Sequence, residues 1–317
     1  MSGPVIGVDL GGTNMQLGVV DADGTIIAQR KKKTKAFKGV DALFDRLVGA
    51  IEAVCDDADI ELSSVEGVGV AVAAAVDRAR GMVLEAPNLG WEDFPLAREL
   101  FEKLGVPVAI ENDVNGAVLG ELHFGAIKGE REALGVWVGT GIGGAIVLDG
   151  DLHLGAMRTA GEVGHMTLYP RPADGRWKLE DTCSRSAVVR RLTELAPSRE
   201  TMLHELSGGD VSSIRSSILA KAYGAGDALT QDVIHDAADL LGCAVGSAVT
   251  LMSVPVVLMG GGLTEAIGAP FVDRVAARMR EHIFPASNRG VRVVATTLNE
   301  RAGILGGAMT IRRELGA

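Results

Sequence analysis

Apolar residues recur along this chain in two alternating patterns, short continuous runs and longer segments at helical spacing. The runs at residues 5–8, 67–76 and 106–110 have the length of buried strands. Residues 40–56 instead carry apolar side chains every three or four positions, which predicts a helix with one buried face. Strands that alternate with helices indicate an α/β protein with a largely parallel sheet.

The second half of the chain begins like the first. Residues 134–138 form an apolar run that leads into a glycine-rich turn, as residues 5–8 do. A further strand pattern follows each turn, at 15–20 and at 145–148. The remaining predicted elements are strands at 25–28, 254–258 and 291–296 and helices at 95–104, 115–124, 187–195, 227–252 and 302–315. A chain of 317 residues with this repeated opening has room for two domains.

The charge of the chain argues against a nucleic-acid partner. Its 41 acidic and 31 basic residues give a net charge of −10, whereas a nucleic-acid binder needs a basic face. The basic run at residues 30–35 is typical of a strand at a sheet edge, where lysines prevent pairing with another chain.

Three widely spaced cysteines, without a C-x-x-C pair, favour reduced thiols and a cytoplasmic protein. No basic-then-apolar leader precedes the first strand pattern, and no apolar run reaches the roughly 18–20 residues of a membrane helix. We therefore expect neither secretion nor a membrane partner.

The first of two glycine loops follows the strand at 5–8. Gly11 and Gly12 expose backbone N–H groups to a phosphate, and the Thr13 hydroxyl adds a donor. Asp9, at the strand end, is a candidate to hold Mg²⁺ through water. An ordinary hairpin turn is the alternative interpretation.

The second loop, at residues 139–144, repeats this pattern with Thr140 and Gly141. It lacks the lysine of a P-loop, and it lies between two strand patterns rather than before a helix, which disfavours a dinucleotide site. Two such loops, one in each half, could grip a triphosphate from both sides.

A third glycine cluster, at residues 260–262, follows a strand pattern and precedes a predicted helix. Gly261 and Gly262 would let a flat ligand such as adenine lie against the backbone. A tight turn between strand and helix is the alternative.

Polar residues at 111–115 end a predicted strand, where ligand sites of open α/β sheets gather. Asp113 could accept a hydroxyl proton during phosphoryl transfer, and the Asn112 amide could bind sugar hydroxyls. The competing interpretation is an Asx turn that caps the next helix.

Glu162 and His165 lie three residues apart among glycines, and both side chains could bind sugar hydroxyls. On spacing alone, a structural role for His165 is the alternative.

These motifs, in this order, closely resemble the ROK family (repressor, open reading frame, kinase), particularly its bacterial glucokinase-like members. The resemblance covers nearly the whole chain. The matching segments are residues 9–13, 86–91, 111–115, 139–144, 161–165 and 260–262.

The resemblance implies a role for each matching residue. Asp113 is implied as the catalytic base. The implied sugar ligands are Asn88, Asn112, Glu162, His165 and Glu180, and the implied phosphate-loop residues are Gly11, Gly12, Thr13, Thr140 and Gly141.

One departure from the family concerns zinc. Members of the family usually carry a cysteine cluster that binds Zn²⁺ together with the histidine that matches His165. Here residues 175–180 contain no cysteine, Lys178 aligns with the last family cysteine, and Cys183 is out of register. Since structural zinc needs four ligands, we predict no zinc site. Another contact must then order His165, and packing by Trp177 is our first hypothesis.

A second departure lies at residues 73–75, which are alanines where the family usually has Pro-Gly-Pro. In the family this loop faces the sugar, so the identity of the hexose stays open.

The resemblance implies the two-lobed actin-like ATPase fold, which is the ribonuclease H-like fold of hexokinase and Hsp70. The small α/β lobe is expected at residues 1–115 and 300–317 and the large one at 116–299, with the active site in the cleft between them. The implied reaction converts glucose to glucose 6-phosphate with ATP and Mg²⁺. Members with these motifs often dimerise, so a homodimer is a further expectation.

Three alternatives remain. The chain could be a ROK kinase for fructose, N-acetylglucosamine or N-acetylmannosamine. It could be a non-catalytic sugar sensor, although a first strand at residue 5 leaves no room for the helix-turn-helix of the family's repressors. It could also be a kinase that has lost hexose activity, against which Asp113, Glu162 and His165 argue.

Overall fold

The computed structural model describes residues 3–170 and 174–316. Its strands are β1 (Val5–Leu10), β2 (Asn14–Val20), β3 (Ile26–Lys33), β4 (Val68–Val72), β5 (Ala75–Asp77), β6 (Met82–Ala86), β7 (Trp91–Phe94), β8 (Val108–Asn112), β9 (Ala133–Val138), β10 (Ile142–Leu148), β11 (Asp151–Leu152), β12 (Val256–Gly260) and β13 (Arg292–Ala295). Its α-helices are α1 (Val40–Asp57), α2 (Leu96–Leu104), α3 (Asp113–Phe124), α4 (Glu180–Cys183), α5 (Arg185–Leu195), α6 (Leu203–Leu206), α7 (Ser216–Gly224), α8 (Ala228–Met252), α9 (Gly262–Ile267), α10 (Ala269–Glu281) and α11 (Ala302–Glu314).

The described residues form two compact units, each with its own hydrophobic core. The first unit comprises residues 3–130, 150–160 and 300–316, and the second comprises the remainder. The lobe boundary expected at residue 115 falls inside α3, which lies wholly in the first unit.

The first unit is built on a five-stranded sheet in the order β3-β2-β1-β4-β8. β1, β4 and β8 are parallel, β2 pairs antiparallel with β1, and β3 pairs antiparallel with β2. Asp9, Ala71 and Glu111 are paired across the three parallel strands, so the residues that follow them lie at one edge of the sheet. β3 is an edge strand that contains residues 30–33 of the basic run, which confirms the prediction for that run.

The run at 67–76, predicted as one strand, is two strands, β4 and β5. The chain turns between them, where Ala73 N donates to Leu10 O at 3.0 Å and Ala74 N donates to Val72 O at 2.8 Å. β5 then pairs with β6 and β6 with β7 in a small antiparallel sheet. The sequence pattern does not predict β6 and β7, because each short strand fully buries few of its side chains.

Helix α11 packs against the first sheet with backbone directly against backbone. A Cβ on Gly7 would overlap Ile304 O, and a Cβ on Gly69 would overlap Gly307 O. Only glycine leaves room for this approach. The start of α11 thereby reaches the end of β1, where Asp9 lies.

The second unit repeats the arrangement of the first. Four strands of one sheet lie in the order β10-β9-β12-β13, with β9 and β10 antiparallel and β9, β12 and β13 parallel. Each unit therefore has a glycine-turn hairpin followed by two parallel strands, which confirms the architectural repeat. Helix α8 is long and apolar enough to cross a membrane, but most of its apolar window is buried in the core of this unit.

Candidate active site

Asp113 is the first residue of α3 and is held by its neighbours. Asn112 caps the helix, because its side-chain oxygen accepts from Val114 N at 2.9 Å and from Asn115 N at 3.1 Å. The Asn112 amide donates to Asp113 Oδ1 and to Ala74 O, each at 3.1 Å. Asn112 is thus the Asx cap that the sequence left open as an alternative, and its contact with sugar stays a prediction.

The buried carboxylate of Glu111 holds this turn through two hydrogen bonds. Glu111 Oε1 accepts from Asn112 N at 2.9 Å and from Asn115 Nδ2 at 3.0 Å. Glu111 Oε2 lies 3.7 Å from Arg78 Nη1. No sequence pattern predicts this role for Arg78, because it lies far from the motif in sequence and within a short 3₁₀ turn.

Asp9 lies at the end of β1, at the same sheet edge as Asp113. Burial and the negative charges of Asp113 and Glu300 raise the pKa of Asp9 to about 7, with a smaller opposing effect from Lys31. Gly303 in α11 packs directly against the Asp9 side chain, since a Cβ there would lie 2.6 Å from Asp9 Cγ. Several acidic groups thus converge at this edge of the first unit.

The first glycine loop is fixed by Thr34, a buried residue that no sequence motif marks. Its hydroxyl donates to Gly11 O at 2.6 Å, and its backbone N–H donates to Thr13 O at 2.9 Å. The Thr13 side chain itself is exposed. The only sequence signal for Thr34 is its position directly after the basic strand.

Gly12 lies against Asn88, which brings a predicted phosphate-loop residue beside a predicted sugar ligand. A Cβ on Gly12 would lie 2.8 Å from Asn88 Cβ. Asn88 is exposed, so its amide is accessible to a ligand.

In the second unit, the glycine loop between β9 and β10 spans residues 139–141, and the last two glycines of the motif belong to β10. Glu180 Oε2 accepts from Ile142 N at 2.8 Å, and a Cβ on Gly141 would overlap that oxygen. Arg185 Nη2 donates to Thr140 Oγ1 at 2.9 Å. The loop is therefore flanked by one carboxylate and one guanidinium. The predicted role of Glu180 as a sugar ligand stays a prediction.

Glu162 and His165 are both exposed on a single turn that contains the 3₁₀ helix Val163–His165. Among the described residues neither side chain has a hydrogen-bond partner. Gly164 packs so tightly on the start of β10 that a Cβ would overlap Ile142 O. The turn with the two predicted sugar ligands therefore lies next to the Glu180 contact.

The segment after His165 is held by backbone pairing. Leu168 N donates to Trp177 O at 2.7 Å, and Leu179 N donates to Met166 O at 2.9 Å. The Trp177 side chain is 40% exposed, with Lys178 Nζ 5.7 Å from its ring centroid. The hypothesis that Trp177 packing orders this segment is therefore replaced by the backbone pairing.

Cys183 faces the core, and burial raises the pKa of its thiol to about 12. Within residues 3–170 and 174–316 no group of three or more histidine, cysteine or acidic side chains is arranged to hold a metal ion. The absence of zinc stays a prediction, because a bound ion can order its own ligands.

The third glycine cluster turns from β12 into α9, as predicted. Gly261 has a φ of 90°, and a Cβ there would lie 2.7 Å from the backbone of Val138. A Cβ on Gly260 would lie 2.5 Å from the Trp137 ring, whereas Gly262 is exposed and a Cβ there would lie 3.7 Å from Ser216 Oγ, an ordinary contact. Packing thus explains two of these glycines, and adenine binding stays a prediction.

Comparison with known proteins gives consistent matches over nearly the whole chain. The ROK family profile matches residues 5–314. The glucokinase of Streptomyces coelicolor is 31% identical over 96% of both chains, and that of Thermotoga maritima is 31% identical over 98% of both. The crystal structure of a ROK family glucokinase from Streptomyces griseus, in complex with glucose and AMPPNP, superposes with a TM-score of 0.87 at 29% identity. That match covers 98% of this chain and 100% of the other. This likeness confirms the predicted α/β, actin-like ATPase fold.

Proposed function

The chain belongs to the ROK family, and from this premise we propose that it transfers the γ-phosphoryl group of ATP to a hexose, with glucose as the first candidate. The observation that carries the proposal is the geometry of Asp113. A carboxylate at a strand's carboxyl end, fixed by Asn112 and Val114, is the arrangement that a general base requires. Similarity to glucokinases over full length supports the same reaction class.

In the proposed reaction Asp113 accepts the proton of a sugar hydroxyl. The hydroxyl oxygen forms a bond to the γ-phosphorus as the bond from phosphorus to the bridging oxygen of ADP breaks. Asn88, Asn112, Glu162, His165 and Glu180 are proposed to bind the sugar. The two glycine loops are proposed to bind the phosphates through backbone N–H groups and the hydroxyls of Thr13 and Thr140, and Gly261 and Gly262 to border the adenine.

Mg²⁺ fits the acidic edge of the first unit. The pKa of Asp9 is raised by burial and by the charges of Asp113 and Glu300, so a bound cation would relieve an existing repulsion. We propose that Asp9 holds Mg²⁺ through water, and the ion would neutralise phosphate charge. We propose Mg²⁺ and no zinc for this protein.

The identity of the hexose is the least constrained part of the proposal. The turn at residues 73–75 consists of alanines, and Ala74 O is held by Asn112, so this turn borders the base. Because this turn differs from the Pro-Gly-Pro usual in the family, a second candidate function is phosphorylation of fructose, N-acetylglucosamine or N-acetylmannosamine.

A cytoplasmic location is also proposed, because Cys55, Cys183 and Cys243 are all thiols and ATP is a cytoplasmic substrate. Formation of a homodimer stays a prediction that the molecular mass in solution would test.

The test is a coupled ADP-release assay with ATP, Mg²⁺ and a panel of hexoses on the wild type and on Asp113→Asn. Asparagine keeps the oxygen that accepts from Asn112 and Val114, and it removes the basic group. We expect kcat to fall by about 10²–10⁴, the usual effect of losing a general base. The matched control is Asp45→Asn on the exposed face of α1, which should keep wild-type activity.

Turnover on glucose that is lost in Asp113→Asn supports both the reaction and the base. Turnover on another hexose but not on glucose supports the second candidate function. Sugar binding by calorimetry, with no turnover on any hexose, would instead identify a sensor and reject the kinase.

A further inference from the structure

Arg185 lies against the second glycine loop, although no motif in the sequence marks it. Its Nη2 donates to Thr140 Oγ1 at 2.9 Å, and its backbone N–H donates to Gly139 O, also at 2.9 Å. It is the first residue of α5, which Ser184 caps by accepting from Ala187 N at 3.2 Å. The loop and the start of the helix are therefore fixed to each other, and both contacts hold the guanidinium beside the loop.

Most donors of this guanidinium remain available to a ligand. It carries five N–H groups, and the contact with Thr140 uses one. In the part of the chain that the structure describes, no carboxylate forms an ion pair with Arg185. Arg191 of the same helix differs, since its Nη1 lies 3.7 Å from Glu194 Oε2.

Thr140 is left with a donor for the same ligand. Its hydroxyl oxygen accepts from Arg185, so its proton is free to be donated to an oxygen acceptor. Both groups thus present donors at the loop whose backbone is proposed to bind phosphate. The loop has no lysine of its own, and a triphosphate carries more charge than one divalent cation neutralises.

Resting on the proposed function, we infer that Arg185 is a phosphate-binding residue that, with Thr140, holds the terminal phosphates of ATP. A guanidinium forms short, charge-assisted bonds to phosphate oxygens. It also opposes the charge that spreads over the γ-phosphoryl oxygens during transfer. Arg185 would therefore contribute both to nucleotide affinity and to kcat.

The test combines direct binding with steady-state kinetics for Arg185→Ala and Arg185→Lys. Binding of AMPPNP, ADP and adenosine is measured by calorimetry, and kcat and KM are measured for ATP and for the hexose. We expect Arg185→Ala to lower kcat/KM for ATP and affinity for AMPPNP by about 10–100-fold, as for loss of charge-assisted hydrogen bonds. Adenosine binding and the KM for hexose should stay within about twofold. Lysine should restore part of the loss, because it keeps the charge without the planar fork.

Arg191→Ala is the matched control, since it removes an exposed arginine from the same helix and should leave every constant unchanged. Thr140→Val tests whether Arg185 binds phosphate directly or only positions the Thr140 hydroxyl. Direct binding requires that Arg185→Ala lose more affinity for AMPPNP than Thr140→Val does. Equal losses in the two variants, or equal losses for adenosine and AMPPNP, would overturn it.

Failure of the proposed function would look different. A wild type that binds AMPPNP without turning over any hexose rejects the kinase, while the binding comparison still decides the role of Arg185. A wild type that binds no nucleotide overturns both.

Discussion

The carboxylate of Glu180 accepts a hydrogen bond from the backbone N–H of Ile142 at 2.8 Å, directly after the second glycine loop. Glu180 begins α4, 38 residues further along the chain. The same oxygen occupies the space that a side chain on Gly141 would need. A residue proposed to bind the sugar thus also fixes the loop proposed to bind phosphate.

This contact predicts different outcomes for two glycines of one loop. Gly141→Ala would displace Glu180 and break its bond to Ile142, whereas Gly139 has no atom closer than 4.0 Å to its ideal Cβ. We expect Gly141→Ala to lower kcat/KM by about 10–100-fold, as for the loss of a hydrogen bond to a charged group. Gly139→Ala should stay within about threefold of wild type in the same assay.

The mechanism also requires that the effects of Gly141→Ala and Glu180→Ala not add. Both changes break the bond between Glu180 and Ile142, and Glu180→Ala also removes the proposed sugar contact, so the double variant should lose little more than Glu180→Ala alone. Fully additive losses would show that Gly141 and Glu180 act independently, contrary to the structure.

The raised pKa of Asp9 predicts a pH-dependent stability. An unfolded Asp9 releases its proton near pH 3.8, whereas the folded protein holds it until about pH 7. Because the folded state binds more protons in this window, the free energy of unfolding falls as pH rises from about 4 to 7 and then levels off. Asp9→Asn removes this titration. Without nucleotide or Mg²⁺, the variant should exceed wild type in stability at pH 8 by at most about 4 kcal/mol, with little difference near pH 4.

Urea denaturation at pH 4.5, 6 and 8 measures this difference, and the exposed Asp45→Asn serves as the control that should show none. If the difference in free energy of unfolding between Asp9→Asn and the wild type did not grow from pH 4.5 to pH 8, the charge repulsion at this sheet edge would be refuted.

The sequence predicted what depends on local pattern. The burial of β1 and the periodicity of α1 follow from side-chain spacing, and the glycine turns follow from composition. Asp113 was located because a polar cluster ends an apolar run. The supporting contacts of Thr34, Arg78 and Arg185 could not be predicted, since each joins residues distant in sequence through a single side chain. Such contacts leave no periodic signal, and only the folded chain shows them.

The last prediction concerns the close packing behind the site. Gly306 in α11 meets α3 so tightly that a Cβ would overlap Gly116 O. Gly49 is also inside a helix, α1, but has open space around its ideal Cβ. Alanine favours a helix over glycine by about 0.5–1 kcal/mol at either position, so a comparison of the two variants isolates packing. Gly49→Ala should therefore stabilise the protein by about that amount. Gly306→Ala should destabilise it by about 1–3 kcal/mol, because backbone atoms of two helices must separate. Thermal and urea unfolding of both variants measures the difference, and since α11 also contacts Asp9 through Gly303, Gly306→Ala should lose activity as well. A stable, fully active Gly306→Ala would show that α3 and α11 are not in the close contact described.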